Sequence, residues 1–239
     1  TLAVNQDSLA GLALTNAELV WTTKTSPGNV MHLKLPDSAP EVVASGENMP
    51  NGVAVNAGFV FWTNQGDGTV KSVSLAGGVP ATLATSQGNP TRIVVDDTWA
   101  YWTSVGANAV RKVKRAGGSF ISVAAQQEMP SGLAIQENEL YWTNGGSGDT
   151  GSVAMVNLVT AISAEIATIG QPMRIALDAE YAYWTDPSDG KVFRAPRHGG
   201  KAEILASGQV SPFGIAVDEH AIYWTCYAPQ GVVMRLAKP

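Results

Sequence analysis

Between Met173 and Pro212, apolar and polar positions alternate in four short bursts separated by turn residues. Arg174-Ile175-Ala176-Leu177 is an apolar run ended by Asp178. Tyr181-Ala182-Tyr183-Trp184-Thr185 is aromatic and β-branched, the composition of a strand. Asp189-Gly190 marks a tight turn before Lys191-Val192-Phe193-Arg194, which alternates as a half-buried strand does. Gly199-Gly200 supplies a second turn, Glu203-Ile204-Leu205-Ala206 a fourth strand, and Pro212 closes the segment. No stretch long enough for a helix carries a capped apolar period of about 3.6 residues.

This four-strand segment is one copy of six. Trp-Thr recurs at Trp21, Trp62, Trp102, Trp142, Trp184 and Trp224, in steps of 41, 40, 40, 42 and 40 residues along a chain of 239. A period near 40 that fills the sequence means one supersecondary unit copied around an axis. The pattern predicts an all-β chain: a six-bladed β-propeller of four-stranded antiparallel blades, forming a single domain over residues 1–239. Gly77-Gly78 and Gly117-Gly118 repeat the second turn, while Asp37-Ser38 and Thr160-Ala161 replace it in copies one and four. Val30, Val70, Val110, Val153, Val192 and Val233 share one third-strand position.

The ends of the chain carry a topological expectation. Copy six stops before its fourth strand, and Thr1-Leu2-Ala3 aligns with the fourth-strand residues Val42-Val43-Ala44. The N-terminal strand is therefore expected to complete the C-terminal blade, removing an open sheet edge. Gly11, Gly52, Gly132 and Gly214 begin four inner strands, and Ala13, Ala54, Ala134, Ala176 and Ala216 lie on the same face of theirs. Small residues there let blades crowd together, and each tryptophan reads as core packing of one blade on the next.

Composition changes the picture in a few places. Apolar residues make up 45% and charged ones 15%, with 25 Gly and 13 Pro, as suits many tight turns. A net charge of −5 argues against a nucleic-acid or anionic-membrane surface. The basic cluster Arg111-Lys112 and Lys114-Arg115 reads as the solvated face of an outer strand. Cys226 stands alone, so no internal disulfide forms. No apolar run approaches the ~20 residues needed to cross a bilayer. The first residues lack the pattern of a signal peptide, so an exported protein would be represented here by its processed chain.

Gly214-Ile215-Ala216-Val217-Asp218 followed by Ile222-Tyr223-Trp224-Thr225 resembles the YWTD repeats of low-density-lipoprotein-receptor-type propellers, and the likeness runs the length of the chain. It implies six blades, an extracellular or periplasmic location and a role in binding proteins. The motif's aspartate survives only as Asp186; Thr23, Asn64, Ser104, Asn144 and Cys226 take its place elsewhere. Without the epidermal-growth-factor-like modules that usually flank receptor propellers, the sequence looks more like free-standing bacterial relatives.

In such propellers the ligand surface is the face of the second-to-third and fourth-to-first strand connections. Three groups are expected on it here. Arg92 and Arg174 replace glycine at the first inner-strand position of copies three and five. Met49, Met129, Met173, Phe213 and Tyr227 offer apolar area. Asn64, Asn144, Asp186 and Asp189 offer polar groups. Two arginine forks suit a carboxylate, a phosphate or an acidic side chain of a partner; the alternative is that each bonds neighbouring carbonyls or carboxylates and lines a water-filled channel.

Metal and catalytic signals are weaker. His32, His198 and His220 fall in different parts of different copies and do not converge. Asp67-Gly68, Asp149 and Asp189-Gly190 form turns, with no calcium-loop pattern. Asp96, Asp178 and Asp218 are expected to cap hairpins, and no serine sits in a Gly-x-Ser-x-Gly turn. No metal or cofactor is expected. The leading reading is a non-catalytic module holding a protein, peptide, or small anionic or sugar ligand at the channel mouth. The alternatives are a metal-dependent propeller enzyme of the lactonase or lyase kind, and a purely structural scaffold.

Overall fold

The computed structural model describes residues 6–36, 38–227 and 231–238. Among them are 23 strands and no helix. The chain divides into two compact units, residues 1–126 and 127–239, each holding three sheets in succession.

In the first unit, β1 (Leu9–Leu14), β2 (Glu18–Thr23), β3 (Gly28–Lys34) and β4 (Glu41–Glu47) form the first sheet. β5 (Pro50–Asn56), β6 (Phe59–Asn64), β7 (Thr69–Ser74) and β8 (Ala81–Ala84) form the second. β9 (Pro90–Val95), β10 (Trp99–Ser104), β11 (Ala109–Lys114) and β12 (Ile121–Ala124) form the third. In the second unit, the fourth sheet is β13 (Pro130–Gln136), β14 (Glu139–Asn144), β15 (Ser152–Asn157) and β16 (Ser163–Thr168). The fifth is β17 (Arg174–Leu177), β18 (Tyr181–Asp186), β19 (Lys191–Pro196) and β20 (Glu203–Ala206). The sixth has three strands, β21 (Pro212–Val217), β22 (Ala221–Cys226) and β23 (Val232–Ala237). Every sheet is an antiparallel meander in chain order. The strand expected from Thr1-Leu2-Ala3 lies outside the described residues, as does Asp37.

Within each unit, the motif tryptophan holds the later sheets to the one before. Trp62 packs with Val20, Val30 and Ala44 of the first sheet, and Trp102 with Phe61, Val70 and Leu83 of the second. In the other unit, Trp184 packs with Tyr141, Val153 and Met155, and Trp224 with Tyr183 and Val192. Trp62, Trp102 and Trp184 are wholly buried; removing so large a side chain from a core costs about 3–5 kcal/mol.

The threonine beside four of the tryptophans makes a second joint. A register shift at the start of the inner strand, between Pro50 and Val53 in β5 and between Pro130 and Leu133 in β13, withdraws one residue from the ladder. That residue is Gly52 or Gly132, and its free N–H donates to Thr63 Oγ1 at 2.9 Å or Thr143 Oγ1 at 2.7 Å. The same hydroxyl then donates to the next sheet: Thr22 to the Asn51 carbonyl, 2.7 Å; Thr63 to Thr91, 2.9 Å; Thr143 to Met173, 3.0 Å; Thr185 to Phe213, 2.7 Å. One buried hydroxyl thus satisfies a bulge donor and ties two sheets. The approach is close enough to exclude side chains. A Cβ on Gly11 would stand 2.3 Å from the Asn51 oxygen, and one on Gly52 2.3 Å from the Thr91 oxygen.

Candidate functional site

The connections expected to face a ligand are fastened to one another within the second, third, fourth and sixth sheets. The residue before the inner strand is Met49, Asn89, Met129 or Ser211, and all four are left-handed, with φ of 53°, 61°, 53° and 43°. Proline follows each of them, so this is strained backbone. The strain turns the residue's carbonyl toward the connection after the second strand, where Gln65, Val105, Gly145 and Tyr227 N–H groups donate to it at 3.0–3.2 Å. Met49 and Met129 are left with exposed side chains.

The polar residues that follow Trp-Thr are turned inward. Asn64 is wholly buried; its Nδ2 donates to the Glu47 carboxylate and, at 3.0 Å, to Thr69 Oγ1. Asn144 Nδ2 donates to Gln127 Oε1 at 3.0 Å and Ser152 Oγ at 3.1 Å. Asp186, also wholly buried, accepts from the Gln171, Ser188 and Asp189 N–H groups at 2.8–3.1 Å. These three shape the loops from beneath: both amide nitrogens and the Asp186 carboxylate are committed within the chain, while the buried Oδ1 of Asn64 and of Asn144 meets no donor among the described residues.

The partner of that inward set is a position the sequence reading passed over. Fifteen residues before the tryptophan stand Gln6, Glu47, Gln87, Gln127, Ile169 and Gln209. Four of them accept the indole N–H: Gln6 from Trp21 at 2.9 Å, Glu47 from Trp62 at 3.1 Å, Gln127 from Trp142 at 2.7 Å and Gln209 from Trp224 at 3.0 Å. Glu47, the one carboxylate, is buried and paired with Lys71 at 3.0 Å. In the third sheet Gln87 turns to Arg111 Nη1, 2.8 Å away, and in the fifth Ile169 has no acceptor to give. Trp102 and Trp184 accordingly keep buried indole N–H groups without acceptors among the described residues. These are the two sheets whose inner strands carry arginine.

In the first unit, Arg92 lies at the bulge position of β9, its backbone N–H donating to Thr103 Oγ1 at 3.1 Å. Its side chain is partly buried, and its buried Nε meets no acceptor among the described residues. Among the described residues no ion pair or hydrogen bond compensates the guanidinium, and burial pushes it down to about 10. An uncompensated charge held partly out of water is costly and is relieved by any anion that reaches it.

In the second unit, the structure gathers four expected residues. The Arg174 guanidinium lies 4.5 Å over the Phe213 ring, and Phe213 meets Tyr227 at 6.4 Å, tilted by 54°. Arg174 Nη1 donates to Ser131 Oγ at 2.8 Å and to the Met173 carbonyl at 3.4 Å. Tyr227 is 81% exposed. The group joins an anchored cation to an open aromatic edge.

The opposite ends of the sheets are framework. Asp96, Asp178 and Asp218 each cap the hairpin between first and second strands through two backbone N–H groups at 2.6–2.9 Å, and each accepts a tyrosine hydroxyl, from Tyr101, Tyr183 or Tyr223. His32 pairs with Glu18, His198 with Glu139 and His220 with Glu219. Among the described residues no three His, Cys, Asp or Glu side chains stand together as a metal-ligand set, and no helix is long and apolar enough to cross a membrane.

No family model matches the sequence, and no curated protein matches it either. Solved structures do. A chain in the crystal structure of a nidogen/laminin complex superposes with a TM-score of 0.73 at 18% identity, covering 91% of this chain and 88% of that one. A streptogramin B lyase superposes with a TM-score of 0.65, also at 18% identity, covering 81% of this chain and 70% of that one. Both are β-propellers, and likeness at this identity speaks to fold alone. A succession of four-stranded antiparallel meanders, together with these likenesses, makes the chain a β-propeller.

Proposed function

We propose that the chain is a non-catalytic binding module: one six-bladed propeller domain over residues 1–239, whose loop-bearing face holds a protein, peptide, or small anionic or sugar ligand. The observation that carries this reading is Arg92, a partly accessible guanidinium without a counter-ion among the described residues, beside loops braced by strained backbone. Arg174, Phe213, Tyr227 and Met173 supply a second contact set of the same kind in their own unit. Asn64, Asn144 and Asp186 act as the loops' internal supports. An extracellular or periplasmic location belongs to the same proposal and rests on the resemblance to receptor-type propellers.

The enzyme reading has one observation in its favour, the likeness to a lyase. Against its metal-dependent form stands that no three His, Cys, Asp or Glu side chains form a metal-ligand set among the described residues. Thermal unfolding with three probes separates the readings: citrate, inorganic phosphate and a glutamate-rich peptide. At least one is expected to raise the Tm of the native protein and to lose most of that effect with Arg92→Ala. Equal shifts in both proteins, or no shift with any probe, overturn the anion site. A shift with calcium or magnesium that EDTA reverses would favour the metalloenzyme.

Closure of the sixth blade by the N-terminal strand is part of the proposal. Deleting residues 1–5 is expected to lower Tm by several degrees, and an unchanged Tm overturns it.

A further inference from the structure

Just past the third strand of every sheet, one residue donates its backbone N–H to the hairpin joining the first two strands: Leu35 to Ala17, Leu75 to Gly58, Arg115 to Thr98, Leu158 to Asn138, Arg197 to Glu180 and Lys238 to His220. Three of the six are cations, and each reaches back to the preceding sheet. Arg115 Nη1 donates to Asn56 Oδ1 at 2.9 Å. Arg197 donates to Glu139 Oε2 at 2.7 Å and to the Tyr141 hydroxyl at 3.2 Å. Lys238 Nζ meets Asp178 Oδ2 at 2.7 Å. The arginines also bond the hairpin carbonyls of their own sheets, Arg115 that of Asp97 and Arg197 those of Asp178 and Ala179, at 3.2–3.3 Å. A planar fork thus fills the junction in two places, and Arg197 is only 4% exposed.

The third junction, between the fifth and sixth sheets, is not filled by any of the described residues. The compact ammonium of Lys238 makes its single carboxylate contact beside a cleft of about 390 Å³ bordered by Asp178, Glu180, Tyr183, Asp218 and Glu219. That volume lies in the range of small-ligand sites, about 300–1,000 Å³. Four carboxylates face two cations there, Lys238 and Arg194, and Arg194 is already paired with Glu203 at 2.8 Å. The tyrosine rings also receive cations: the Arg194 guanidinium lies 4.5 Å over Tyr181, and Lys238 Nζ 5.9 Å from the Tyr183 centroid. At the equivalent junction the Arg197 guanidinium lies 5.5 Å over Tyr141.

We propose that this cleft binds a guanidinium from outside the chain, an arginine side chain or a small molecule bearing that group. The ligand sits where Arg115 and Arg197 place their own forks at the other two junctions. Carboxylate, hairpin backbone and tyrosine face are the set that Arg197 satisfies; Arg115 does the same with an asparagine, hairpin backbone and phenylalanine faces, and a lysine cannot reproduce the several in-plane bonds.

Titration of the intact protein with L-argininamide, followed by calorimetry, tests this, with L-lysinamide as the comparison. Argininamide is expected to bind about ten-fold more tightly than lysinamide. Lys238→Arg, which returns the chain's own fork to the junction, is expected to weaken argininamide about ten-fold while Tm holds or rises. Arg92→Ala is expected to leave argininamide binding unchanged, which keeps this site distinct from the anion site. Equal binding of the two amides, no binding of either, or full argininamide binding by a folded Lys238→Arg variant overturns the proposal. An arginine-containing peptide then separates the two sources: tighter binding than argininamide identifies a protein partner, equal binding a small molecule.

Discussion

Gly52→Ala is expected to cost about 3 kcal/mol of folding stability, a large loss for one methyl group. The backbone of Gly52 is not left-handed, so the penalty is one of space. The new Cβ would meet the Thr91 oxygen at 2.3 Å and the Arg92 Cα and Ile93 N at 3.0 Å, all of them main chain of the neighbouring sheet. No rotamer change relieves such a clash; the sheets must part, and the Thr63 bond to Thr91 parts with them. Gly132→Ala, whose nearest contacts are the Met173 oxygen and Thr143 Oγ1 at 2.8 Å, should cost less. Gly214→Ala, facing only Thr225 Oγ1 at 3.1 Å among close contacts, should cost least. Urea unfolding of the three variants reads the order directly. Equal losses would show that propensity, not proximity, selects glycine at these positions.

Arg197→Met is the second large effect, about 3 kcal/mol. The substitution keeps much of the volume and leaves the Glu139 carboxylate, 14% exposed, without its cation. The figure sits at the low end for a broken buried pair because Glu139 retains some contact with solvent. In the native protein burial works to raise Glu139, but hydrogen bonds from Tyr141 and Arg197 outweigh it and hold the carboxyl below its ordinary value. The folded state therefore binds fewer protons there than the unfolded chain. The stabilisation is complete above the unfolded value, about 4.3, and fades as pH falls through the lower folded one. The gap between native protein and variant should accordingly narrow in acid, and Glu139→Leu combined with Arg197→Met should recover most of the loss at neutral pH. A gap that stays constant down to the acid transition would remove the ion pair from the explanation.

The strands were legible because alternation and turn residues mark them locally. Arg174–Leu177 and Glu203–Ala206 are read from sequence with the bounds the structure shows, while β18 and β19 run on to Asp186 and Pro196 because their ladder continues to the Asp186–Lys191 and Tyr181–Pro196 pairs. Side-chain direction at the strand ends was less legible. Asn64, Asn144 and Asp186 read as surface groups by position, yet each is drawn inward, the two asparagines by an acceptor fifteen residues before the tryptophan and Asp186 by the N–H of Gln171. That acceptor recurs in five of the six copies and was open to reading; glutamine simply carries no chemistry that attracts notice. Arg92 and Arg174 stood out as breaks in a glycine series, a contrast only a repeat supplies. The cations beyond the third strand, Arg115, Arg197 and Lys238, did not, because leucine fills the same place in the other three copies and masks the pattern.

The threonine joint has a consequence for how such a chain can change length. Within each unit, neighbouring sheets carry the two halves of the fastening, a hydroxyl that reaches forward and a carbonyl that receives it. Copying a whole forty-residue module therefore creates a new seam already matched to its neighbours on either side. Losing half a module leaves one orphaned hydroxyl and one uncovered carbonyl. Growth and shrinkage by complete modules is the path this architecture leaves open to gene duplication.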